Sequence, residues 1–410
     1  MIRIRDIALP PAHSAEQLQY EAAQLLRLSP SRIRKLTIVR RSVDARKKPD
    51  VKMIYTVDVM VEGSENKVLK QAGCKRAALA PISCYHPPKP RAAAESRPVV
   101  VGFGPAGMFA ALVLALAGQK PLVLERGEDA QARHEAVEKF WSDGNFDRRS
   151  NVQFGEGGAG TFSDGKLNTG VNNPRIHWIL EQLVAAGAGE DILYDAKPHV
   201  GTDVLLTVVQ NIRKRIISLG GEVRFSTQVT DLEQEGDHLT ALVTESGEKI
   251  PCTHAVLAIG HSARDTFEML RQRCITMEPK PFSMGVRIEH RQEMVNKAQY
   301  GIEQPALPPA DYKLVKHLDE NTVYTFCMCP GGYVVAAASE EGGVVTNGMS
   351  YADRAGENAN AALLVTLNPQ VFPYPGALGG MYWQREIERR AYEVSGSYCA
   401  PAQRIGDFLQ

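Results

Sequence analysis

VVVGFGPAG, residues 99–107, decides the fold: it is a G-x-G-x-x-G run between three valines and the apolar stretch 106–116. A run of this kind between a buried strand and a helix predicts a dinucleotide-binding turn, in which the first glycine permits the tight turn, the second admits a pyrophosphate and the third packs the helix on the strand. Free N–H groups at the helix N-terminus favour phosphate. The candidate binding residues here are Gly102, Gly104, Pro105, Ala106 and Gly107.

An acidic residue closes the next strand in the place that such a fold requires. Glu125 follows the apolar segment 121–124, 23 residues after Gly102, and Arg126 comes next. A carboxylate there accepts hydrogen bonds from an adenosine ribose. The same charge repels a 2′-phosphate, which disfavours NADP at this site. A glycine-rich turn without a ligand is the alternative, and the strand, helix and acid together make it the weaker one.

A second glycine-rich run, GEGGAG at residues 155–160, follows the polar stretch 143–153 instead of a buried strand. It therefore lacks the context of a second dinucleotide fingerprint. We interpret it as a loop that approaches the ribityl–pyrophosphate side and the redox ring of a flavin, the alternative being an irregular surface loop. Its candidate binding residues are Gly157, Gly158, Gly160, Thr161, Ser163 and Lys166, with Lys166 the candidate cation at the redox end.

Two later segments favour a flavin over a simple NAD dehydrogenase. GEVRFSTQV ends at Val229, and HAVLAIG ends at Gly260, with His261 next. In FAD proteins a strand of the first kind passes the adenine, and one of the second kind ends in glycine beneath the cofactor. Each segment taken alone is equally compatible with plain core. Their order after the fingerprint is what favours the flavin.

Outward from this centre the chain divides into five parts. We expect an N-terminal ferredoxin-like α/β module over 1–86, in which Ser14 and Gln17 form a helix capping box. A linker over 87–97 follows. Residues 98–275 are the first part of a Rossmann-type FAD-binding domain, 276–383 an inserted β-rich substrate domain, and 384–410 a return to the FAD-binding domain. The fold class is therefore α/β.

Six stretches resemble one family: SVDARKK (42–48), GFGPAGMFAAL (102–112), FGEGGAGTFSDGKL (154–167), FCMCPGGYVV (326–335), TNGMSYADRAGENAN (346–360) and APAQRIGDFL (400–409). The family is that of the bacterial FAD-dependent, NAD(FAD)-utilising dehydrogenases, within the glutathione reductase-like flavoprotein superfamily. The resemblance implies FAD bound at Gly102, Gly104, Gly107, Glu125 and the loop 157–166. Family members continue past the DFL segment to a glycine-rich stretch that completes the FAD site, so we expect a truncated form with an open groove and weaker FAD binding.

The implied activity is hydride transfer between non-covalent FAD and a small-molecule substrate or NAD(P)H. No second fingerprint with a preceding strand exists, so NAD(P)H is expected to dock only transiently, if it is the electron donor. The catalytic residues and the substrate are not identified by the sequence.

A non-enzymatic alternative rests on the basic run 32–52, which carries nine lysines and arginines on a predicted hairpin. Clustered cations on one face could make an RNA- or partner-binding module of a nucleotide-binding fold. Tyr55 is the only aromatic residue nearby, so base stacking has little support. We favour a solvated hairpin, or one that docks on the chain's own acidic surface, and nucleic acid is disfavoured.

Composition indicates an ordinary globular protein of 410 residues, with 47 basic and 47 acidic side chains. No apolar run reaches the about 18 residues of a membrane span, and the N-terminus lacks a secretory apolar core, so we predict a cytosolic protein without membrane association. The seven cysteines are scattered, which argues against a disulfide framework. Cys327 and Cys329 form a C-x-C rather than a redox C-x-x-C, and we expect small hydrophobic packing there and no metal site.

Overall fold

The computed structural model describes residues 1–81, 84–89, 95–302, 306–319 and 321–410. Of the linker predicted over 87–97, residues 90–94 lie outside the described residues. The chain is a mixed α/β protein with parallel and antiparallel sheets.

The described chain contains the following strands and helices, in chain order. The strands are β1 (Ile2–Leu9), β2 (Ile33–Asp44), β3 (Lys52–Val61), β4 (Ala77–Leu79), β5 (Val99–Val101), β6 (Leu122–Leu124), β7 (Glu222–Arg224), β8 (Val229–Glu235), β9 (His238–Thr244), β10 (Lys249–Pro251), β11 (Ala255–Leu257), β12 (Phe282–Arg291), β13 (Val315–His317), β14 (Thr322–Cys329), β15 (Tyr333–Ala337), β16 (Val345–Met349) and β17 (Asn358–Leu367). The helices are α1 (Ala15–Leu25), α2 (Glu65–Ala72), α3 (Pro105–Leu116), α4 (Ala130–Asp143), α5 (Arg175–Ala185), α6 (Thr202–Ser218), α7 (Arg264–Gln272), α8 (Gln292–Tyr300), α9 (Gly379–Ser395) and α10 (Ile405–Phe408).

The N-terminal unit has the element order β1-α1-β2-β3-α2-β4 and an antiparallel sheet in the order β2-β3-β1-β4. The predicted capping box is confirmed: the Ser14 side chain accepts from the Gln17 backbone N–H, and the Gln17 side chain accepts from the Ser14 backbone N–H. Alternate residues of the strands face one core, where Ile2, Ile4 and Val57 are fully buried. The helices cover this face because their apolar residues recur at helical spacing.

A four-stranded parallel sheet in the order β11-β5-β6-β7 lies at the centre of the second unit. Its central strands β5 and β6 are short, apolar and buried on both faces, as parallel strands between helices require. Helices α3 and α6 share a core with it. The strand order changes direction at β5, because β6 and β7 follow on one side of it and β11 lies on the other. In sheets of this kind, ligands bind beyond the carboxyl ends of the strands, at the point where the order changes. An antiparallel sheet in the order β10-β9-β8 adjoins it.

The later half of the chain is β-rich, with an antiparallel sheet in the order β12-β17-β14-β13 and a hairpin of β15 and β16. The register of β14 on β17 shifts between Phe326 and Cys329, so the C-x-C segment forms a bulge. The last long helix, α9, begins before the segment 384–410 that was expected to return to the FAD-binding domain. It contacts α7 through ion pairs of Arg385 with Glu268 and of Glu388 with Arg264.

The basic hairpin of β2 and β3 docks on the chain itself. Arg41 makes a bidentate ion pair with Asp195 at 2.6 and 2.8 Å, and its backbone N–H donates to the carbonyl of Tyr194. Lys48 Nζ donates to the carbonyl of Ala298. The expected alternative, a hairpin that binds the chain's own acidic surface, describes this arrangement.

The Arg41–Asp195 pair should contribute measurably to stability, because both side chains are at most a third exposed and the geometry is bidentate. We expect Arg41→Gln to lower the free energy of unfolding by about 1–2 kcal/mol. The matched control is Arg34→Gln, since Arg34 pairs with Glu62 at a mostly exposed position. Urea denaturation of both variants checks this, and equal stabilities would mean that the docking contact contributes nothing.

Candidate functional site

A cavity of about 510 Å³ opens at the carboxyl ends of β5, β6 and β11. That volume lies within the range of small-molecule sites. Ten of the fifteen residues predicted from the sequence line it: Gly102, Gly104, Pro105, Ala106, Glu125, Arg126, Gly158, Gly160, Val229 and Gly260.

The first glycine turn is fixed by backbone contacts. Gly102 has a positive φ of 94°, and a Cβ there would lie 2.5 Å from the carbonyl oxygen of Ala258. A Cβ on Gly107 would lie 1.9 Å from the carbonyl oxygen of Gly102. Both positions therefore require glycine for the fold itself. Gly104 differs, because a Cβ there would make only an ordinary contact, at 3.6 Å from the Cα of Gly158.

The N-terminus of α3 faces this cavity without a side-chain cap. Gly104 is the N-cap residue and Pro105 occupies the first helical position, so neither supplies a capping side chain. The backbone N–H groups of the first turn have no partner within the helix. They and the helix dipole make this end of the cavity favourable for an anion.

Glu125 lines the cavity but is only 4% exposed, and its carboxylate also accepts hydrogen bonds from the protein backbone. Its Oε2 accepts from the N–H of Phe103 at 2.7 Å, and its Oε1 accepts from the N–H groups of Gly127 and Gly155, both at 3.0 Å. An ionised carboxylate has about four lone-pair sites, so about one remains for a ribose hydroxyl. Sequence reasoning predicted the residue but not its backbone partners.

Arg126 lies beside Glu125 and is held on two sides. Its guanidinium pairs with Asp265 at 2.9 Å and lies 4.4 Å above the ring of Phe154. Val229, at the start of β8, is buried in the same wall. The charge of Arg126 is therefore already compensated, and its contact with the Phe154 ring shapes the wall.

The glycine-rich loop 155–160 is anchored by Arg133 of α4, which is fully buried. The guanidinium donates to four carbonyl oxygens, those of Asn151, Val152, Gly155 and Glu156, at 2.6–3.4 Å. It also lies 4.8 Å from the centre of the Phe162 ring. Burial lowers the pKa of Arg133 to about 10, although the nearby Glu125 and Glu156 raise it.

This anchoring brings the second glycine run against the first. The N–H of Gly157 donates to the carbonyl of Phe103 at 2.9 Å. Gly158 has a positive φ of 61°, and a Cβ there would lie 2.8 Å from the Cα of Gly104. The two glycine runs thus form one continuous backbone wall around the N-terminus of α3.

Five predicted residues do not line the cavity: Gly107, Gly157, Thr161, Ser163 and Lys166. Thr161 is buried, and its hydroxyl donates to the carbonyl of Glu156. The Ser163 hydroxyl donates to the carbonyl of Gly160 at 2.7 Å. Lys166 pairs with the buried Asp164 at 3.0 Å, and Arg354 shares the same carboxylate oxygen. Lys166, the cation expected at the redox end of a flavin, is therefore held in an ion-pair cluster with Asp164 and Arg354 and does not line the cavity.

Gly260 and His261 line the cavity where the chain leaves β11. Gly260 has a φ of 70° and open space where its Cβ would be. Nε2 of His261 lies 3.3 Å from the hydroxyl of Ser262, whose oxygen in turn is 3.1 Å from that of Ser339 on the β-rich part. Burial and the adjacent Arg264 guanidinium lower the pKa of His261. The imidazole is therefore neutral near pH 7 and can donate or accept a hydrogen bond.

Several lining residues were not predicted from the sequence: Gln153, Phe154, Thr227, Leu257, Ser262, Thr266, Phe267 and Leu270. Leu257 ends β11, and the others come from irregular segments and from α7, which no sequence pattern marked as part of a site. Leu257 is 43% exposed, so the cavity wall includes apolar surface.

Cys329 is buried and Cys327 exposed, and both are free thiols. Burial raises the pKa of Cys329 to about 12, and Asp164 adds to the shift. A thiol held protonated in this way is a poor nucleophile. Over the described ranges, no group of three or more His, Cys, Asp or Glu side chains could hold a metal ion. No helix in the same ranges is long and apolar enough to cross a bilayer.

The parallel sheet and glycine turn have the geometry of a Rossmann-type nucleotide fold. An uncharacterized protein of Clostridium beijerinckii is 47% identical over 415 residues, which cover all of this chain and 78% of that protein. The chain belongs to the same family as that protein. Residues 281–410 match the family described as FAD-dependent protein, C-terminal domain-like, and residues 1–60 match a domain of unknown function, DUF8436.

Solved structures overlap with the chain only in part. They include Thermovibrio ammonificans THI4 (16% identity, 45% of this chain and 66% of that one, TM-score 0.29), the Diels-Alderase PyrE3 (16%, 74% and 52%, 0.33) and CtdE in complex with FAD (14%, 68% and 61%, 0.29). The chain spans between about half and two thirds of these proteins. Overlaps with such low TM-scores carry no argument about the ligand of this chain.

Arg133 should be among the most sensitive positions of the chain. We expect Arg133→Met to lower the free energy of unfolding by about 3–5 kcal/mol, because buried carbonyls and acidic neighbours lose their compensating charge. Arg148→Met is the control, since Arg148 is 73% exposed and pairs with Glu245. Chemical denaturation monitored by circular dichroism measures both, and a loss at Arg133 no larger than at Arg148 would contradict the anchoring role.

His199 should make stability depend on pH. Burial and the Arg354 guanidinium lower the pKa of His199, although Asp164 and two carbonyls raise it. Since the folded pKa lies below the unfolded value of about 6.5, the unfolded chain binds the proton more readily. The stabilisation is present above pH 6.5 and is lost as the pH falls towards the folded pKa.

We therefore expect the wild-type melting temperature to fall between pH 7.5 and 5.5, and to fall less in His199→Asn. His177→Asn is the control, because His177 is 60% exposed on α5. If the three proteins lose the same stability over this interval, His199 does not carry the effect.

Proposed function

We propose that this protein is an FAD-dependent oxidoreductase, with FAD bound non-covalently in the cavity and hydride exchanged with a small-molecule substrate or NAD(P)H. The observation that carries the proposal is the meeting of Gly104 and Gly158 at the uncapped N-terminus of α3. The match of residues 281–410 to an FAD-dependent family supports FAD as the dinucleotide.

The residues fit the cofactor in three respects. Gly104 tolerates a Cβ within the protein, so its lack of a side chain keeps space for a ligand rather than for packing. The first turn of α3 would hold the pyrophosphate with backbone N–H groups. Glu125 follows β6 and Gly260 follows β11, on either side of β5, so that an adenosine ribose would lie at the first and the flavin end at the second.

When bound, FAD supplies two-electron chemistry by accepting or releasing a hydride. The chain's own residues bind and orient. Glu125 would hold the ribose and exclude a 2′-phosphate by its charge. His261, neutral near pH 7, would hold or pass a proton at Nε2 through Ser262.

The basic hairpin has no observation in its favour as an RNA-binding surface. Arg41, Arg46 and Lys52 each pair with an aspartate of the chain. The electron donor stays open between NAD(P)H and the substrate. Anaerobic stopped-flow mixing of the reconstituted protein with NADH and NADPH distinguishes them, because bleaching within seconds indicates a reductase.

Two glycine variants test the FAD site. We expect Gly104→Ala to leave the melting temperature unchanged and to weaken FAD binding by roughly tenfold, equivalent to about 1.4 kcal/mol, because the new methyl group fills ligand space. Gly107→Ala should instead lower both the melting temperature and the affinity, since its Cβ meets the Gly102 carbonyl.

The measurement is titration of flavin-free protein with FAD, followed by fluorescence and by the flavin absorbance bands. Wild-type protein that stays colourless after reconstitution would refute the proposal. Equal FAD affinities of wild type and Gly104→Ala would place the cofactor elsewhere.

A further inference from the structure

The histidine that lines the cavity, His261, has one ring nitrogen bound by the chain and one left over. Its Nε2 lies 3.3 Å from the hydroxyl oxygen of Ser262. Its Nδ1 has no hydrogen-bond partner in the part of the chain that the structure describes. Because the side chain lines the cavity, Nδ1 is the ring nitrogen that remains for a ligand there.

A second serine decides the direction of the Ser262 hydroxyl. Ser339 donates its hydroxyl proton to the oxygen of Ser262 at 3.1 Å. Both residues are buried, Ser262 at 5% and Ser339 at 6% exposure, and buried hydroxyls are normally hydrogen-bonded. A hydroxyl has one proton, and no other acceptor for the proton of Ser262 lies within hydrogen-bond distance among the described residues. Ser262 therefore donates to Nε2 of His261.

The order of these hydrogen bonds, from Ser339 to Ser262 to His261, sets the tautomer of the imidazole. A neutral imidazole has one N–H and one acceptor nitrogen, and the hydrogen bond at one nitrogen decides where the proton lies. Since Nε2 accepts a hydrogen bond from Ser262, the ring proton lies on Nδ1. The nitrogen that remains for a ligand is therefore a hydrogen-bond donor and not a base.

The surroundings of His261 keep the ring in this neutral form. Burial and, after it, the Arg264 guanidinium lower the pKa of His261, against an opposite effect of Glu388. Arg264 is itself fixed in place, because it is 3% exposed and pairs with Glu340 and Glu388 at 2.7 Å each. A second ring proton would lie on Nε2 and face the hydroxyl proton of Ser262, so protonation would also disrupt the serine hydrogen bonds.

The two serines come from different parts of the chain. Ser262 follows β11 at the cavity, whereas Ser339 lies two residues after β15 in the β-rich part. The residue after Ser339, Glu340, pairs with Arg264 and Arg385, and these ion pairs hold Ser339 against Ser262. The tautomer of the cavity histidine thus depends on a contact that the β-rich part makes with the nucleotide fold.

We propose that Ser339 and Ser262 are positioning residues that hold His261 in its Nδ1–H form, so that the ligand of the cavity meets a neutral hydrogen-bond donor. Such a donor binds an oxygen or an unprotonated nitrogen, and it stabilises negative charge that develops on its acceptor. That the acceptor belongs to a flavin or to the substrate of a flavin rests on the proposed function. The tautomer itself does not require the flavin.

The test measures the ¹⁵N chemical shifts of the imidazole nitrogens in FAD-free protein at pH 7.5, with the His261 signals assigned by their loss in His261→Gln. We expect the wild-type Nδ1 to have the shift of a protonated nitrogen and Nε2 that of an unprotonated one. Ser262→Ala should lose this difference, because Nε2 no longer receives a hydrogen bond. Ser339→Ala should reduce it, because the Ser262 hydroxyl is then free to turn. Ser218→Ala is the control, since Ser218 is exposed on α6 and bonds only within its own helix.

A wild-type His261 that is protonated on Nε2, or identical shifts in wild type and Ser262→Ala, would overturn the proposal. If Ser262→Ala fails to fold, Ser339→Ala and Ser339→Thr decide instead: the alanine should reduce the shift difference and the threonine, which keeps the hydroxyl, should preserve it. FAD titration of the same preparations separates the two ideas, because the Nδ1–H form in a protein that binds no FAD would support the role of the serines and refute the flavoprotein function.

Discussion

Four backbone carbonyls of residues 151–156 converge on the buried guanidinium of Arg133, and the wall of the cavity depends on that convergence. The segment has no regular secondary structure, so its carbonyls have no ladder to satisfy them. Without a donor, each buried carbonyl would cost free energy of desolvation. Arg133 supplies the donors from a single side chain and so lets an irregular segment stay inside the protein.

The rest of the site follows from this anchor. With residues 151–156 held, the N–H of Gly155 reaches Glu125, and the N–H of Gly157 reaches the carbonyl of Phe103. Glu125 in turn binds the N–H of Phe103 in the first glycine turn. Two sequence-distant loops are thereby tied by hydrogen bonds to one carboxylate and one carbonyl. Their relative position is fixed before any ligand is present, which is the preorganisation that tight binding requires.

Local signals accounted for much of the fold. The capping box of α1 and the strand–turn–helix around Gly102 depend on residues close in sequence, and both were predicted from them. α4, α7 and α8 were missed. Each buries only a few apolar side chains, such as Val137 and Phe140 of α4, and these stand beside buried charged or polar ones such as Arg133 and Arg264. A hydrophobic face interrupted in this way gives a weak periodic signal in the sequence.

The site was predictable to the extent that glycine reveals backbone geometry. Sequence reasoning found the two glycine runs but assigned Lys166 to the cavity, because it could not see that Asp164 and Arg354 hold this cation.

The backbones of Gly104 and Gly158 are in contact, but glycine is required at the two positions for different reasons. Gly158 is required by the backbone opposite it, whatever the cavity holds, whereas the protein alone would accept alanine at position 104. In a lineage that abandoned the cofactor, mutation would be free to erase Gly104 while Gly158 persisted. Gly158 therefore reflects the inherited fold, and Gly104 reflects whether the cavity holds a ligand. Under the proposed function, the residue aligned with position 104 is where relatives with and without a bound nucleotide would differ.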